Sequence, residues 1–134
     1  MNTSVGAMYN DLQGLGVDVA ELKLKANTAI AFMDNFLVID RSHCKTAAKE
    51  RTVLAHEAGH CITGSFYNLY APLDRRSKHE RQADKWAVKK LIPKVELEAQ
   101  LRQGLEPYEL AEYFNVTEEF IHKALEFYFE CGIA

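Results

Sequence analysis

His56-Glu57-Ala58-Gly59-His60, an H-E-x-x-H sequence, stands inside a run from Thr46 to Tyr67 that reads as one helix. Residues four apart on a helix differ in direction by only about 40°, so the two imidazoles lie one above the other on the same face. Neutral imidazole nitrogens bind Zn²⁺ at roughly 2.0–2.1 Å, and a carboxylate beside the first histidine stands where it can take a proton from water on the ion. Two ligands and a base thus come from five residues. By chance alone such a pentapeptide turns up in roughly one chain in two hundred of this length. The surroundings must therefore decide between a metal helix and a helix with two surface histidines.

Around the helical wheel, Leu54, Ala58, Cys61, Ile62 and Ser65 fall on one side, with Val53, His56, His60 and Gly64 roughly opposite. Both sides are suited to contact, which predicts a helix held between other elements. Gly64, one turn beyond His60, is read as leaving room for a close approach.

Downstream, Ser77 is placed to cap a second helix that Pro93 ends. Lys78, Arg81, Lys85 and Lys89 form its charged side, while Glu80 and Asp84 share the other side with Ala83, Ala87, Val88 and Leu91. Carboxylates on an apolar face need a positive partner, and a metal with its histidines supplies one. Glu80 is therefore read as the third ligand, with Ser77 to Glu80 as a capping box the competing explanation. Asp84, one turn on, is read as accepting a hydrogen bond from a ligand histidine and fixing its tautomer. His79 points away from Glu80 and reads as a surface residue.

Upstream, Thr3 or Ser4 can cap a first helix in which Val5, Met8, Tyr9 and Leu12 keep helical spacing, and Gly14 is placed to end it. Val17 to Val19 alternates like a short strand. Thr28 to Met33 and Phe36 to Asp40 are apolar, partly β-branched runs on either side of Asp34-Asn35, which predicts an antiparallel hairpin. Their poor alternation suggests strands covered on both faces, or an edge beside the metal onto which an extended peptide adds. Asn68 to Arg76 reads as a loop between the two long helices.

Hydrophobic residues make up 48% of the 134, charged ones 26%, and the net charge is -3. This describes an ordinary globular protein without the basic surplus of a nucleic-acid binder. No apolar run is long enough for a membrane span, and the N-terminus lacks the pattern of a signal peptide. Three cysteines, Cys44, Cys61 and Cys131, have no C-x-x-C spacing, which suits reduced thiols and a cytoplasmic setting. Cys61 reads as packing.

Past Pro93 the pattern predicts helices over Lys94 to Gln103 and Pro107 to Phe114, a turn at Asn115-Val116 and a last helix capped by Thr117. Helix, tight turn, helix resembles a helix-turn-helix. Yet from Leu105 onward there are seven glutamates against one lysine, Lys123, so phosphates are repelled and direct nucleic-acid binding is not expected. Ile121, Ala124, Leu125 and Tyr128 keep core spacing; any of Phe120, Phe127 and Phe129 left outside would serve to dock a basic protein partner.

H-E-x-x-H at His56 to His60, followed by E-x-x-x-D at Glu80 to Asp84, resembles the gluzincin pattern of zinc metallopeptidases. More particularly, Glu80-Arg81-Gln82-Ala83-Asp84-Lys85-Trp86-Ala87, leading to Leu91-Ile92-Pro93, resembles the E-x-E-A-[ND]-x-F-A…L-x-P segment of the ImmA/IrrE family, with Gln82 for its second Glu and Trp86 for its Phe. The order of elements agrees over nearly the whole chain. The resemblance implies a cytoplasmic zinc peptidase, one Zn²⁺ per chain, that cleaves DNA-binding repressors of mobile elements or stress regulons. Carried over by position, His56, His60 and Glu80 match the metal ligands, Glu57 the catalytic residue and Asp84 the group behind the histidine. The chain's length leaves no room for a built-in sensor.

The expectation is therefore an α+β protein: a small antiparallel sheet packed against a metal-binding helix pair, with a helical C-terminal region. Residues 1–134 are read as a single zinc-peptidase-like domain, 1–93 carrying the sheet and the metal helices and 94–134 a helix-turn-helix-like tail. Tyr67, Tyr70, His79 and Arg75 are the candidates for steadying an oxyanion. A metal-stabilised module that inactivates a repressor by binding it, without cleavage, uses the same ligands and is the alternative.

Overall fold

A computed structural model describes residues 2–67 and 70–130. It is α+β and 62% helical, with a three-stranded sheet and a helical C-terminal region. In chain order the elements are α1 (Val5–Gly14), β1 (Asp18–Glu21), β2 (Ala29–Phe32), β3 (Phe36–Ile39), a 3₁₀ turn (Arg41–His43), α2 (Ala47–Thr63), α3 (Leu73–Leu91), α4 (Lys94–Arg102), α5 (Pro107–Phe114), α6 (Glu118–Leu125) and a π-helical segment (Glu126–Glu130). Among the described residues no helix is long and apolar enough to cross a membrane. Cys131 lies outside the described residues, as do Asn68 and Leu69 of the expected loop.

The hairpin forms where expected. Asp34 and Asn35 both take left-handed φ, 66° and 56°, a conformation their short polar side chains tolerate, and β2 pairs antiparallel with β3. The sheet as a whole is mixed, because β1 pairs parallel with β3 and the order is β1-β3-β2. Central β3 is covered on both faces, with Leu37, Val38 and Ile39 all buried, which accounts for its lack of alternation. β2 is one of the two edge strands, half-buried along most of its length.

α2 packs against α1, β2, β3 and α3, so the helix is held between elements as its two-sided wheel predicts. Its end differs from the expectation of a helix running to Tyr67. Gly64 adopts a left-handed φ of 66° and closes the helix at Thr63. Nothing approaches the position of a Gly64 Cβ; its conformational freedom stops the helix, and close approach occurs elsewhere. The second helix begins earlier than Ser77 suggests, at Leu73 after Pro72, where the fixed φ of proline starts a helix without needing a donor. Arg75, Arg76 and Ser77 are therefore helical, and Ser77 caps nothing.

One hydrophobic core joins Met8 and Leu12 of α1, Leu37 and Ile39 of β3, Leu54 and Ala58 of α2, Val88 and Leu91 of α3, Leu97 of α4 and Phe114 and Ile121 of the tail. Of the tail aromatics in question, Phe120 and Phe127 are buried in it and Phe129 is 47% exposed. Arg51 of α2 is also buried. Its Nη1 donates to the carbonyls of Phe114 (2.5 Å) and Asn115 (3.2 Å), meeting the otherwise unpaired end of α5.

Candidate metal centre

Two helices supply the site, and Gly59 sets their separation. A Cβ built on Gly59 would come within 2.5 Å of the Ala83 carbonyl oxygen on α3. The close approach that sequence reasoning placed at Gly64 is thus made at the variable glycine inside H-E-x-x-H. It brings the α2 face carrying His56 and His60 directly onto the α3 face carrying Glu80 and Asp84.

His56 Nε2 stands 2.8 Å from Glu80 Oε2, and His60 Nε2 3.3 Å from Glu80 Oε1. One ligand atom from each of these three residues lies within 4.8 Å of the others, a grouping able to hold a metal ion. The remaining ring nitrogens are engaged. His56 Nδ1 donates to Asp84 Oδ1 at 2.7 Å, and His60 Nδ1 donates to the Ser65 carbonyl at 2.6 Å. With Nδ1 of both rings held from behind, both Nε2 atoms are aimed at Glu80, and a metal ion would take the place of the protons they direct there. Ser65 reaches His60 because the left-handed turn at Gly64 folds the chain back. A helix continued to Tyr67 would have hidden that partner.

Glu57 lies between the histidines in sequence and faces β2, where its carboxylate accepts a hydrogen bond from the Ala31 amide. Burial raises its proton affinity, against the lowering influence of His56 and His60. Around the histidines the balance runs the other way. Burial alone would lower the His56 pKa, but bonds to Asp84 and Glu80 raise it to about 10. Glu80, bonded by His56 and His60, is held well below the usual carboxylate range. The arrangement gathers carboxylate charge around two imidazoles and calls for a cation between them. Two imidazole nitrogens and one carboxylate oxygen are a donor set that suits Zn²⁺ and leaves a position open, so the residues present fit the implied metal.

Of two further neighbours, sequence reasoning named Tyr67 and missed Lys123. Tyr67, one of the four oxyanion candidates, donates to Glu80 Oε1 at 2.8 Å and stacks on His79. Lys123 of α6 lies 3.0 Å from Asp84 Oδ2. Nothing local in the sequence pairs a residue with another 39 positions away. Glu80 is not in a capping box, since α3 is already under way at Ser77. Cys61 is buried, its sulfur against the Phe32 and Phe36 carbonyls, as packing requires.

Two cavities flank Glu57. One of about 330 Å³ is bordered by β2, His60, Phe66 and Tyr67; the other, of about 260 Å³, by Ala29, Val53, His56, Phe120 and Lys123. The model of the Peptidase_M78 family, described as the IrrE N-terminal-like domain, matches residues 12–126. Searches of curated proteins and of solved structures gave no significant match.

Proposed function

This chain belongs to the Peptidase_M78 family, the IrrE N-terminal-like domains, and from that premise we propose that it is a zinc-dependent endopeptidase cutting a helix-turn-helix repressor in the cytoplasm. Cleavage of such a repressor relieves transcriptional repression. The observation that carries the reading is the convergence of His56, His60 and Glu80 on one point beside Glu57, each imidazole held by a partner behind it.

His56, His60 and Glu80 would hold one zinc ion. When bound, such an ion supplies Lewis acidity, polarising a carbonyl and making water a nucleophile near neutral pH. Asp84 and the Ser65 carbonyl keep the two imidazoles turned toward it. Glu57 takes the proton of the attacking water on its carboxylate and returns it to the nitrogen of the leaving amine. The outer edge of β2, bordering both cavities beside Glu57, offers main-chain pairing to an extended substrate. Tyr67, hydrogen-bonded at Glu80, is the donor this reading assigns to the oxyanion.

The test is incubation of the full chain, with and without chelator, with the repressor encoded beside its gene. Cutting is expected only without chelator. Glu57→Gln should keep the metal and the fold and lose about 10²–10⁴-fold in rate; wild-type cutting by that variant removes Glu57 from its role. A zinc-loaded chain that binds the repressor and leaves it intact replaces this reading with the binding module.

A further inference from the structure

Asp84 gives only one of its carboxylate oxygens to His56. Oδ1 accepts from His56 Nδ1 at 2.7 Å, and Oδ2 accepts from Lys123 Nζ at 3.0 Å. The two donors come from different parts of the chain, His56 from α2 and Lys123 from α6. Lys123 is also the only lysine after Leu105. On an acidic tail, the one cation is spent on the residue behind a metal ligand.

Anchoring α6 does not require it. Ile121 and Ala124 are fully buried, and Phe120 nearly so, and the Lys123 side chain remains 38% exposed against 14% for Asp84. Lys123 borders the cavity that holds His56 and Glu57 and also a second one, of about 430 Å³, that holds Glu80 and Tyr67. Asp84 lines both cavities as well.

A carboxylate with a single partner can turn about its terminal torsion, which is broad for aspartate. Held at both oxygens from two elements, it cannot turn without breaking a charge-assisted bond. We propose that Lys123 is a positioning residue of the metal centre: it fixes Asp84, Asp84 fixes the His56 ring, and the C-terminal helix thereby sets part of the affinity for the ion. This rests on the reading of His56, His60 and Glu80 as the metal site.

The experiment is a zinc competition titration against a chromophoric chelator, on the full chain, for the wild type, Lys123→Met, Lys123→Arg, Asp84→Ala and the Lys123→Met, Asp84→Ala double variant. Removing a partner behind a ligand costs about 10–100-fold in affinity, so Asp84→Ala should fall in that range. Lys123→Met, one bond further out, should lose roughly 3–10-fold, and Lys123→Arg should recover most of it. Because Lys123 acts only through Asp84, the double variant should bind as Asp84→Ala does. Unchanged affinity in Lys123→Met overturns the proposal, and so does a double variant in which the two losses multiply. A wild type that holds no zinc overturns the metal reading, and this one falls with it; the Lys123 outcomes are read on a zinc-binding wild type, which keeps the two failures apart.

Discussion

At Gly59 a single hydrogen atom decides whether two helices can meet. The Ala83 carbonyl fills the place a methyl group would need, and a backbone oxygen cannot swing aside as a flexible side chain can. Gly59→Ala should push α2 and α3 apart, destabilising the chain by about 1–3 kcal/mol and weakening zinc binding, since the histidines and Glu80 sit on opposite helices. Gly6→Ala is the control: that glycine is helical with open space around it, and the change should stabilise by about 0.4–1 kcal/mol. Equal unfolding midpoints for Gly59→Ala and the wild type would show that the crossing gives way. That His56, His60, Glu80 and Asp84 come together was legible because they repeat at helical spacing. Which glycine makes the crossing was not, because a wheel shows the direction of a residue and not the distance of the neighbouring helix.

At the end of β3, Asp40 ties the chain after β1 to the 3₁₀ turn. Its carboxylate accepts from the Leu24 amide at 2.8 Å and from the Ser42 amide at 3.0 Å, and from the Ser42 hydroxyl. Bonding to Ser42 and Leu24 lowers its pKa. A carboxylate whose folded pKa lies below its unfolded value, about 3.9, adds stability that is fully present above that value and is lost as pH falls through the folded one. Asp40→Asn should therefore be less stable than the wild type at about pH 6, with the gap narrowing below about pH 4. Urea unfolding across that range checks it; a gap that widens in acid would reverse the assignment. The turns and caps of the elements were readable wherever a residue's own chemistry marks them, as at Ser4, Asp34, Asn35 and Thr117. They were misread at Gly64 and Pro72, where an apolar or charged pattern continues past the point at which the backbone changes.

Over the whole molecule, charge and burial set what the tail can do. The helices α5 and α6 have the outline of a DNA-reading unit, yet Glu112, Glu118 and Glu119 are exposed on it, and Lys123 is turned to Asp84. With no lysine or arginine in these helices besides Lys123 to displace counterions, the chain should not shift DNA in a gel at about 0.15 M salt, where the Debye length is about 8 Å. Tight binding there would make it a regulator that reads DNA. The tail's other commitment is to α2, through Arg51, which is 5% exposed. Arg51→Met leaves the Phe114 and Asn115 carbonyls without their donor and should cost about 1–3 kcal/mol in urea unfolding; an unchanged midpoint would show that α5 ends without its help. Arg51 reads in sequence as one more charge on a helix, because its partners lie 63 and 64 residues away. That link also bears on inheritance. Every motif that marks the candidate centre ends by Pro93, yet a gene fragment ending there would leave a guanidinium stranded in a core stripped of Phe114, Phe120 and Ile121. Recombination can therefore pass this centre between lineages only with its tail attached.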